Sequence, residues 1–366
     1  MNRTDESLLL LLRVALSDAV GHSLAKDIDW QAIYRLAQMQ GVVALAFDGL
    51  QKICVHDPAL GQSLSRSLKL HWIAATEQVR SRYGQQKLSA TRLTALWAEK
   101  GIRTLVLKGL AFSVNYPVPS YRECGDFDCY LFGEYEKGEE VIRQKGIWVD
   151  EDWYKHSQFS FMGVLVENHA FLVPVRKNKD YRELERYFEM LAAEGPNNPY
   201  ENTNILIPSP LFNLSFCLYH ALGHFMSEGI RLRHVCDWYC LLSEWQSEID
   251  WDTFYAWCEK FHYRRFADAL TAICVHDLGL QISDDRIVTE SPYRDKVLKS
   301  ILYDDSAIFS LNKPKWYTRS KLIYNTFKYR WKYTQIYQKS HIRQIANYMF
   351  GYLFKTERNS EKNIKK

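Results

Sequence analysis

The chain lacks any long run of apolar residues, and this absence bears first on where the protein resides. Its N-terminal apolar run extends only from Leu8 to Leu12, follows Asp5 and Glu6, and ends at Arg13. A membrane-spanning helix needs about 20 apolar residues, and a signal peptide carries basic residues before its apolar part. We therefore expect a soluble, cytoplasmic protein with no transmembrane segment.

Cysteine spacing of the disulfide-framework kind is also absent. The eight cysteines are scattered, and most of them lie in apolar segments, as reduced buried thiols do. No internal repeat is evident either. What the chain does contain is 47% hydrophobic residues among 366, which predicts a sizeable core and about two or three domains.

Charge is distributed unevenly along the chain. Residues 313–366 contain 14 Lys and Arg against two Glu, a balance of +12, so residues 1–312 carry −8 of the net charge of +4. Aromatic residues are interleaved with these basic ones. Basic side chains neutralise phosphates and aromatic ones stack on bases or lie at a bilayer interface, so contact of the tail with nucleic acid or an anionic membrane surface is one interpretation, although the pattern slightly favours its alternative. The alternative is a helical segment that packs its aromatic side chains on the acidic body.

Hydrophobic periodicity divides the chain into four predicted parts. Residues 1–97 have helical spacing, with Asp29 as an N-cap. Residues 98–195 form a mixed unit, residues 196–312 are again helical, and residues 313–366 are the basic tail. Within the mixed unit, the pattern predicts strands at 102–107, 125–131, 147–149, 159–162 and 164–172, and helical segments at 110–116 and 134–144. The order indicates an α+β fold, with a small sheet between two helical regions.

Asp126 and Asp128 are the most informative residues of the predicted strand at 125–131. Side chains alternate across a strand with a period of two, so both carboxylates face the same side, about 6.5–7 Å apart. Two such charges repel unless a cation or a proton lies between them. Mg²⁺ is bound by carboxylates together with substrate phosphates. The pair therefore predicts a magnesium and phosphate site, against the alternative of two acids on an exposed strand face.

Other residues point to the same chemistry. Glu167, the lone acid of an apolar segment, is the candidate for a third carboxylate that deprotonates a hydroxyl or completes a second metal site. Lys108 and Gly109 precede a helical segment, whose N-terminus offers N–H groups to a phosphate. Arg122, in the loop that leads to Gly125, has the fork geometry to hold phosphate. The alternatives are an ordinary strand-to-helix turn and a surface arginine.

A series of histidines and cysteines in the second helical region has spacing that could bind zinc. Because Ala221 follows the first histidine, the series lacks the Glu of a His-Glu-x-x-His site. The surrounding segment is apolar and aromatic, which favours residues at the edge of a core. We expect Asp237 to pair with Arg231 or Arg233. The series comprises His220, His224, His234, Cys236 and Cys240.

Several short motifs occur in a fixed order along the chain. They are Asp29-Trp30, Leu107-Lys108-Gly109, Tyr116-Pro117, Arg122, Gly125-Asp126-Phe127-Asp128, Val166-Glu167-Asn168-His169, Leu218-Tyr219-His220-Ala221 and Leu232-Arg233-His234-Val235-Cys236-Asp237. Over about residues 25–280 the chain thereby resembles the uncharacterised nucleotidyltransferase family of bacterial proteins. That family looks like a divergent branch of the DNA polymerase β-like superfamily, although the turn here is Lys108-Gly109-Leu110 rather than Gly-Ser.

The resemblance implies a palm-like mixed sheet flanked by helical regions. It implies that Mg²⁺ or Mn²⁺ is held by Asp126, Asp128 and Glu167, and that an NTP is held at Lys108, Gly109, Arg122 and Gly125. The expected reaction moves an NMP group from an NTP to an acceptor hydroxyl and releases pyrophosphate. A small molecule, a protein side chain and an RNA end all fit as acceptor. The alternatives are a catalytically silent binding or scaffold module, including one that binds RNA, and a phosphate-ester hydrolase.

Overall fold

A computed structural model describes residues 1–17, 24, 28–151, 154–175, 179–195, 197–303, 324 and 327–340. Helices at both ends of this described part flank one six-stranded mixed sheet, so the predicted α+β fold is confirmed. Most of the basic tail lies outside the described residues. No helix in the described ranges is long and apolar enough to cross a membrane.

Five helices precede the sheet. They are α1 (Arg3–Ser17), α2 (Trp30–Met39), α3 (Val43–His56), α4 (Pro58–Ser63) and α5 (Arg66–Ala98). The Asp29 side chain accepts a hydrogen bond from Ala32 N at 2.9 Å, so the predicted N-cap of α2 is confirmed. Helix α5 continues without interruption for 33 residues because its interior contains no proline and a single glycine, Gly84.

The strands of the sheet are short. They are β1 (Thr104–Val106), β2 (Phe127–Tyr130), β3 (His156–Phe161), β4 (Val164–His169), β5 (Asn198–Pro199) and β6 (Ile205–Ile207), in the spatial order β3-β4-β2-β1-β6-β5. Strand β2 pairs parallel with β4 and antiparallel with β1, while β1 pairs parallel with β6. The two edge strands, β3 and β5, pair antiparallel with their neighbours.

The structure corrects the predicted strands in two places. The apolar segment 147–149 forms no strand, and only the next residue, Asp150, makes an isolated bridge to Gln158. The sheet also extends past residue 195, because β5 and β6 add to it beside β1. Apolar runs of three residues carry little periodicity, so their pairing partners decide whether they become strands. The division of the chain into four parts stays a prediction.

A tight turn sets the register of the β3–β4 hairpin. Its two residues, Met162 and Gly163, have φ angles of 49° and 77°. Left-handed conformations at both central positions are those of the turn that matches the twist of a two-residue hairpin. The turn pairs Phe161 with Val164 and, further along, His156 with His169, so it determines which side chains of β3 meet those of β4.

The two faces of the sheet have different neighbours. On one face, Phe127 and Phe159 are buried, and the Trp97 ring of α5 makes an edge contact with Phe159 at 6.4 Å between centroids. Because side chains alternate, Asp128 and Glu167 point to the opposite face. One face therefore contributes to the core, and the other is left for polar chemistry.

Further helices lie between the strands and after the sheet, before a π-helix at Lys332–Ile336. They are α6 (Leu110–Ser113) and a short 3₁₀ helix (Pro119–Tyr121) after β1, α7 (Tyr135–Gln144) after β2, α8 (Lys179–Glu194) after β4, and then α9 (Pro210–Ser227), α10 (Leu232–Trp245), α11 (Trp251–Phe261), α12 (Arg264–His276) and α13 (Arg294–Tyr303). Ser209 caps α9 by accepting from Phe212 N at 3.4 Å, and Pro210 occupies its first turn.

One segment of the basic tail packs against α9. Lys332 and Tyr333 are buried and donate hydrogen bonds to Phe225 O at 3.2 Å and Met226 O at 3.0 Å. Residues 332–336 therefore pack on the body of the protein, as the alternative expects, whereas Phe327 is exposed and the packed segment includes a buried lysine. Contact of the tail with nucleic acid or an anionic membrane stays a prediction.

Candidate active site

Three carboxylates converge on the polar face of the sheet. The parallel pairing of β2 with β4 places Glu167 opposite Asp128, and Asp126 immediately precedes β2 on the same face. One oxygen from each carboxylate lies within 4.8 Å of the other two. The Asp128 Oδ2 atom is buried and has no hydrogen-bond partner among the described residues. A buried acceptor without a donor, beside two more carboxylates, fits a divalent cation.

Asp128 is the carboxylate with the strongest cationic surroundings. Its Oδ1 lies 2.9 Å from Lys108 Nζ and 3.1 Å from His169 Nε2. Burial by itself would raise the pKa of Asp128, but Lys108 and His169 outweigh it and hold the pKa well below its usual range. For Asp126, burial and then the charge of Asp128 raise the pKa. Asp128 therefore stays ionised, whereas a cation that enters the site would favour the ionised form of Asp126.

Glu167 is held from the edge of the sheet. Its Oε1 accepts a hydrogen bond from Gln158 Nε2 at 2.8 Å, and its Oε2 lies 3.7 Å from His169 Nε2. Burial would raise the pKa of Glu167, but the hydrogen bond from His169 and the proximity of both His169 and His156 together outweigh burial and lower the pKa. Glu167 is thus an oriented, ionised carboxylate.

The Lys108-Gly109 turn lies directly beside this triad. Gly109 has φ 52° and ψ −106°, a left-handed conformation that favours glycine. The Gln86 side chain of α5 donates to Asp126 O, next to this turn. Burial would lower the pKa of Lys108, but Asp128 and then Asp126 raise it above its ordinary value. Helix α6, which follows, has only four residues, so its N-terminus contributes little field toward a phosphate.

Arg122 occupies a place that the sequence did not predict. It is 6% exposed, so the alternative of a surface arginine is wrong. Its Nε and Nη2 donate to the two oxygens of Asp237 at 2.7 and 2.9 Å, and Tyr116 also donates to Asp237 at 2.7 Å. Asp237 is therefore paired with an arginine, but not with Arg231 or Arg233 as expected. A phosphate contact of Arg122 stays a prediction.

A cavity of about 760 Å³ opens above the triad, between the sheet and the facing ends of α9 and α10. Its charged lining is balanced in sign. The acids are Asp126, Asp128, Glu167 and Glu228, and the cations are Lys108, Lys155, Arg231 and Arg233. Three of the acids lie on the sheet, beside Lys108 and Lys155, and we call this side the acidic floor. Both arginines lie at the start of α10, near Glu228, and we call this side the basic wall.

Histidines complete that wall. The Nε2 atoms of His220 and His224 lie 3.0 Å apart, so one ring donates to the other, and His234 Nδ1 accepts from Arg231 N at 3.1 Å. Burial and the charge of Lys108 lower the pKa of His220 well below its usual value. Burial and Arg233 lower the pKa of His234 to about 3. Both rings are therefore neutral near pH 7.

The described residues contain two groups whose ligand atoms lie close enough to share a metal ion. One is the carboxylate triad, and the other consists of His156, Glu167 and His169. Neither group includes the histidine and cysteine series of the second helical region. Its histidines instead line the cavity, and its cysteines Cys236 and Cys240 are buried.

Most of the chain matches a single protein-family model. The family model described as uncharacterised nucleotidyltransferase matches residues 26–279, a span that contains every strand of the sheet and the helices that border the cavity. The chain belongs to this family. No significant match was found among curated proteins or among solved structures. The predicted family is confirmed, and membership in it suggests nucleotidyl transfer.

Several residues of this candidate site were not predicted from the sequence. His169 follows Glu167 by two residues on one strand, so the period of two could have placed it on the same face. His156 and Gln158 reach the site through the hairpin register, which an apolar pattern alone does not specify. Arg233 reaches the site because the turn between α9 and α10 brings the start of α10 opposite the sheet, which is distant from it in sequence.

Proposed function

We propose that the protein is a metal-dependent nucleotidyltransferase that moves an NMP group from an NTP to an acceptor hydroxyl. One observation carries the proposal: three carboxylates share one face of the sheet at the floor of a cavity whose opposite wall is basic. An NTP fits this distribution of charge. Its reacting α-phosphate must lie at the metal site, and its β- and γ-phosphates need positively charged partners. Family membership supports the same reaction class.

The carboxylates Asp126, Asp128 and Glu167 would hold Mg²⁺ or Mn²⁺. Such an ion, when bound, neutralises phosphate charge and makes a hydroxyl more acidic. The acceptor oxygen forms a bond to the α-phosphorus, the bond from that phosphorus to the bridging oxygen breaks, and pyrophosphate leaves. Glu167, which Gln158 orients through a hydrogen bond, would accept the proton of the acceptor hydroxyl.

The basic wall supplies the phosphate side of the proposal. Arg231 and Arg233 flank the N-terminus of α10 and both line the cavity. Gln40 accepts hydrogen bonds from the first backbone N–H groups of this helix, at 2.8 Å from Leu232 N and 3.2 Å from Arg233 N, so the two guanidinium groups supply the positive charge. The Arg233 Nε atom is buried and has no hydrogen-bond partner among the described residues, so an anion would satisfy it. Lys108 lies between this wall and Asp128. We assign the β- and γ-phosphates to these cations, with backbone approach at Gly109.

Calorimetric titration of the full chain with each of the four NTPs, with and without Mg²⁺, tests the proposal. We expect at least one NTP to bind in a Mg²⁺-dependent manner. The double variant Asp126→Asn/Asp128→Asn should weaken that binding at least about tenfold, because the metal loses two ligands. Asp252→Asn is the matched control, since this exposed aspartate lies in the first turn of α11, away from the cavity. Equal binding by wild type and double variant, or none by either, contradicts the assignment.

Turnover separates transfer from its alternatives. Incubation with an NTP labelled in the α-phosphate and with cell extract fractions should label an acceptor and release pyrophosphate. Free labelled NMP without a labelled acceptor would indicate hydrolysis. Binding without any turnover in all fractions would indicate a silent binding module.

A further inference from the structure

Two histidines stand beside the carboxylate triad on the same face of the sheet. The hairpin register pairs His156 of β3 with His169 of β4, and Glu167 lies two residues before His169. We propose that His156, Glu167 and His169 form a second metal site, which takes a divalent cation with affinity for imidazole, such as Mn²⁺, Co²⁺ or Zn²⁺. Glu167 would then lie between this site and the carboxylate triad.

The distances among the three side chains fit such an ion. His156 Nε2 lies 3.6 Å from Glu167 Oε1, and His169 Nε2 lies 3.7 Å from Glu167 Oε2. Two ligands at about 2.0–2.1 Å from a tetrahedral zinc ion stand about 3.4 Å apart. Ligand atoms of the three residues all lie within 4.8 Å of one another. Shifts of a few tenths of an ångström to about 1 Å would therefore bring them to bonding distance.

The tautomer of His169 supplies an independent argument. Its Nδ1 lies 3.3 Å from Phe171 O, and a carbonyl oxygen only accepts, so Nδ1 carries a hydrogen. Its Nε2 then faces Asp128 Oδ1 and Glu167 Oε2, 3.1 and 3.7 Å away. A metal ion bound there would lie among three side chains whose nitrogen and oxygen atoms can serve as ligands. A backbone carbonyl that orients the far nitrogen is the usual support of a metal-binding histidine.

The donor set distinguishes this site from the carboxylate triad. Three carboxylates suit Mg²⁺, which prefers hard oxygen ligands, whereas two imidazoles and one carboxylate suit ions further along the first transition series. The His169 side chain is 2% exposed, and those of His156 and Glu167 are 15% exposed. The ion would thus be shielded from water on the sheet side and would face the cavity on the other. The proposal concerns binding and does not depend on nucleotidyl transfer.

Titration of the metal-free full chain with Co²⁺ in the presence of millimolar Mg²⁺ tests the site. We expect one Co²⁺ to bind with a visible absorption spectrum of nitrogen ligation. His156→Ala and His169→Ala should each weaken that binding at least about tenfold, because even outer contacts of a metal site contribute 10–100-fold. His71→Ala, an exposed histidine of α5, is the matched control and should leave the titration unchanged.

A further variant separates this site from the other histidine pair of the cavity. His224→Ala removes the partner of His220 and should leave Co²⁺ binding intact. Loss of binding in His224→Ala, with retention in His156→Ala, would overturn the proposal. So would imidazole ¹⁵N resonances showing both nitrogens of His169 protonated and unaffected by Co²⁺ or Zn²⁺. If His169→Ala fails to fold, His156→Ala at the edge strand carries the test.

The outcome is independent of the function proposed above. Nitrogen-ligated Co²⁺ in a protein that binds no NTP would sustain the second metal site and reject nucleotidyl transfer. Mg²⁺-dependent transfer in a protein that never ligates Co²⁺ through nitrogen would do the reverse. Retention of the Co²⁺ spectrum in Asp126→Asn/Asp128→Asn would place the ion on the histidine side.

Discussion

Replacing Asp237 by Asn tests the role that the fold assigns to Arg122. The two side chains are 7% and 3% exposed and share two hydrogen bonds, and Tyr116 adds a third to the same carboxylate. Asp237→Asn keeps the shape but leaves the guanidinium buried without a counter-charge. Removing one partner of a buried pair costs about 3–5 kcal/mol. We expect Asp237→Asn to lower the free energy of unfolding by about 3 kcal/mol, at the low end of this range, because the Asn oxygen still accepts one hydrogen bond.

A second variant removes both charges together. Arg122→Met/Asp237→Leu eliminates the unpaired charge and the cost of burying the pair, so most of the lost stability should return. The Tyr116 hydroxyl then lacks its acceptor, which leaves a deficit of about 1–3 kcal/mol. Urea unfolding at pH 7, followed by far-UV circular dichroism, measures each free energy of unfolding. A loss below about 1 kcal/mol for Asp237→Asn would refute the reasoning.

The stability that the Arg122–Asp237 pair contributes depends on pH. Burial would raise the pKa of Asp237, but Arg122 and the hydrogen bonds from Arg122 and Tyr116 outweigh it, so the folded pKa lies below the unfolded value. The ion pair therefore stabilises the protein above the unfolded pKa of about 3.9. This contribution declines as the pH falls through the folded value. The stability difference between wild type and Asp237→Asn should accordingly narrow below about pH 4.

The same double variant decides whether Arg122 contacts phosphate. If Arg122 only positions the loop that leads to Gly125, the folded Arg122→Met/Asp237→Leu protein should retain NTP affinity within about threefold. A loss greater than about tenfold in a folded protein would instead show that the guanidinium serves the nucleotide directly.

Two glycines provide further tests. Gly109→Ala places a side chain at φ 52°, so we expect a stability loss of about 1–3 kcal/mol and weaker NTP binding through displacement of Lys108, measured by urea unfolding and calorimetry. Gly49→Ala directs a methyl group into Leu11 O, where α1 and α3 touch, and overpacking there should cost about 1–3 kcal/mol in the same unfolding assay without a direct effect on the site. Gly84→Ala is the control for both variants, since no atom outside its own helix backbone lies within 4 Å of the added methyl group. This substitution should stabilise α5 by about 0.5–1 kcal/mol. A loss of stability in Gly84→Ala would undermine both comparisons.

Local pattern was sufficient for part of the architecture. The N-cap at Asp29, the uninterrupted helix α5 and the switch to strands after residue 101 all follow from side chains within one or two turns of each other. The shared face of Asp126 and Asp128 is of the same kind, because it needs only the alternation of side chains along one strand. These features were predictable since neighbours in sequence determine them.

Long-range pairing decided the rest of the site. Glu167 meets Asp128 because β2 pairs with β4 in one register, and a shift by one residue would turn Glu167 to the other face. Arg122 is bound by Asp237, a residue 115 positions away, because the buried carboxylate lies within reach of the guanidinium. Asp237 therefore pairs with Arg122 and not with Arg231 or Arg233, which are nearer in sequence. Composition contains no signal for either encounter.

By itself, the sequence determined that two aspartates share a strand face beside a Lys-Gly turn, and it offered the lone glutamate of an apolar segment as the candidate third acid. Only the tertiary structure decided that His156 and His169 crowd that acid, that Arg122 is committed to an ion pair, and that the basic wall belongs to α10. The physical reason is one of distance along the chain. Periodicity orients a side chain relative to its own strand, whereas strand register and helix packing determine which charges it faces.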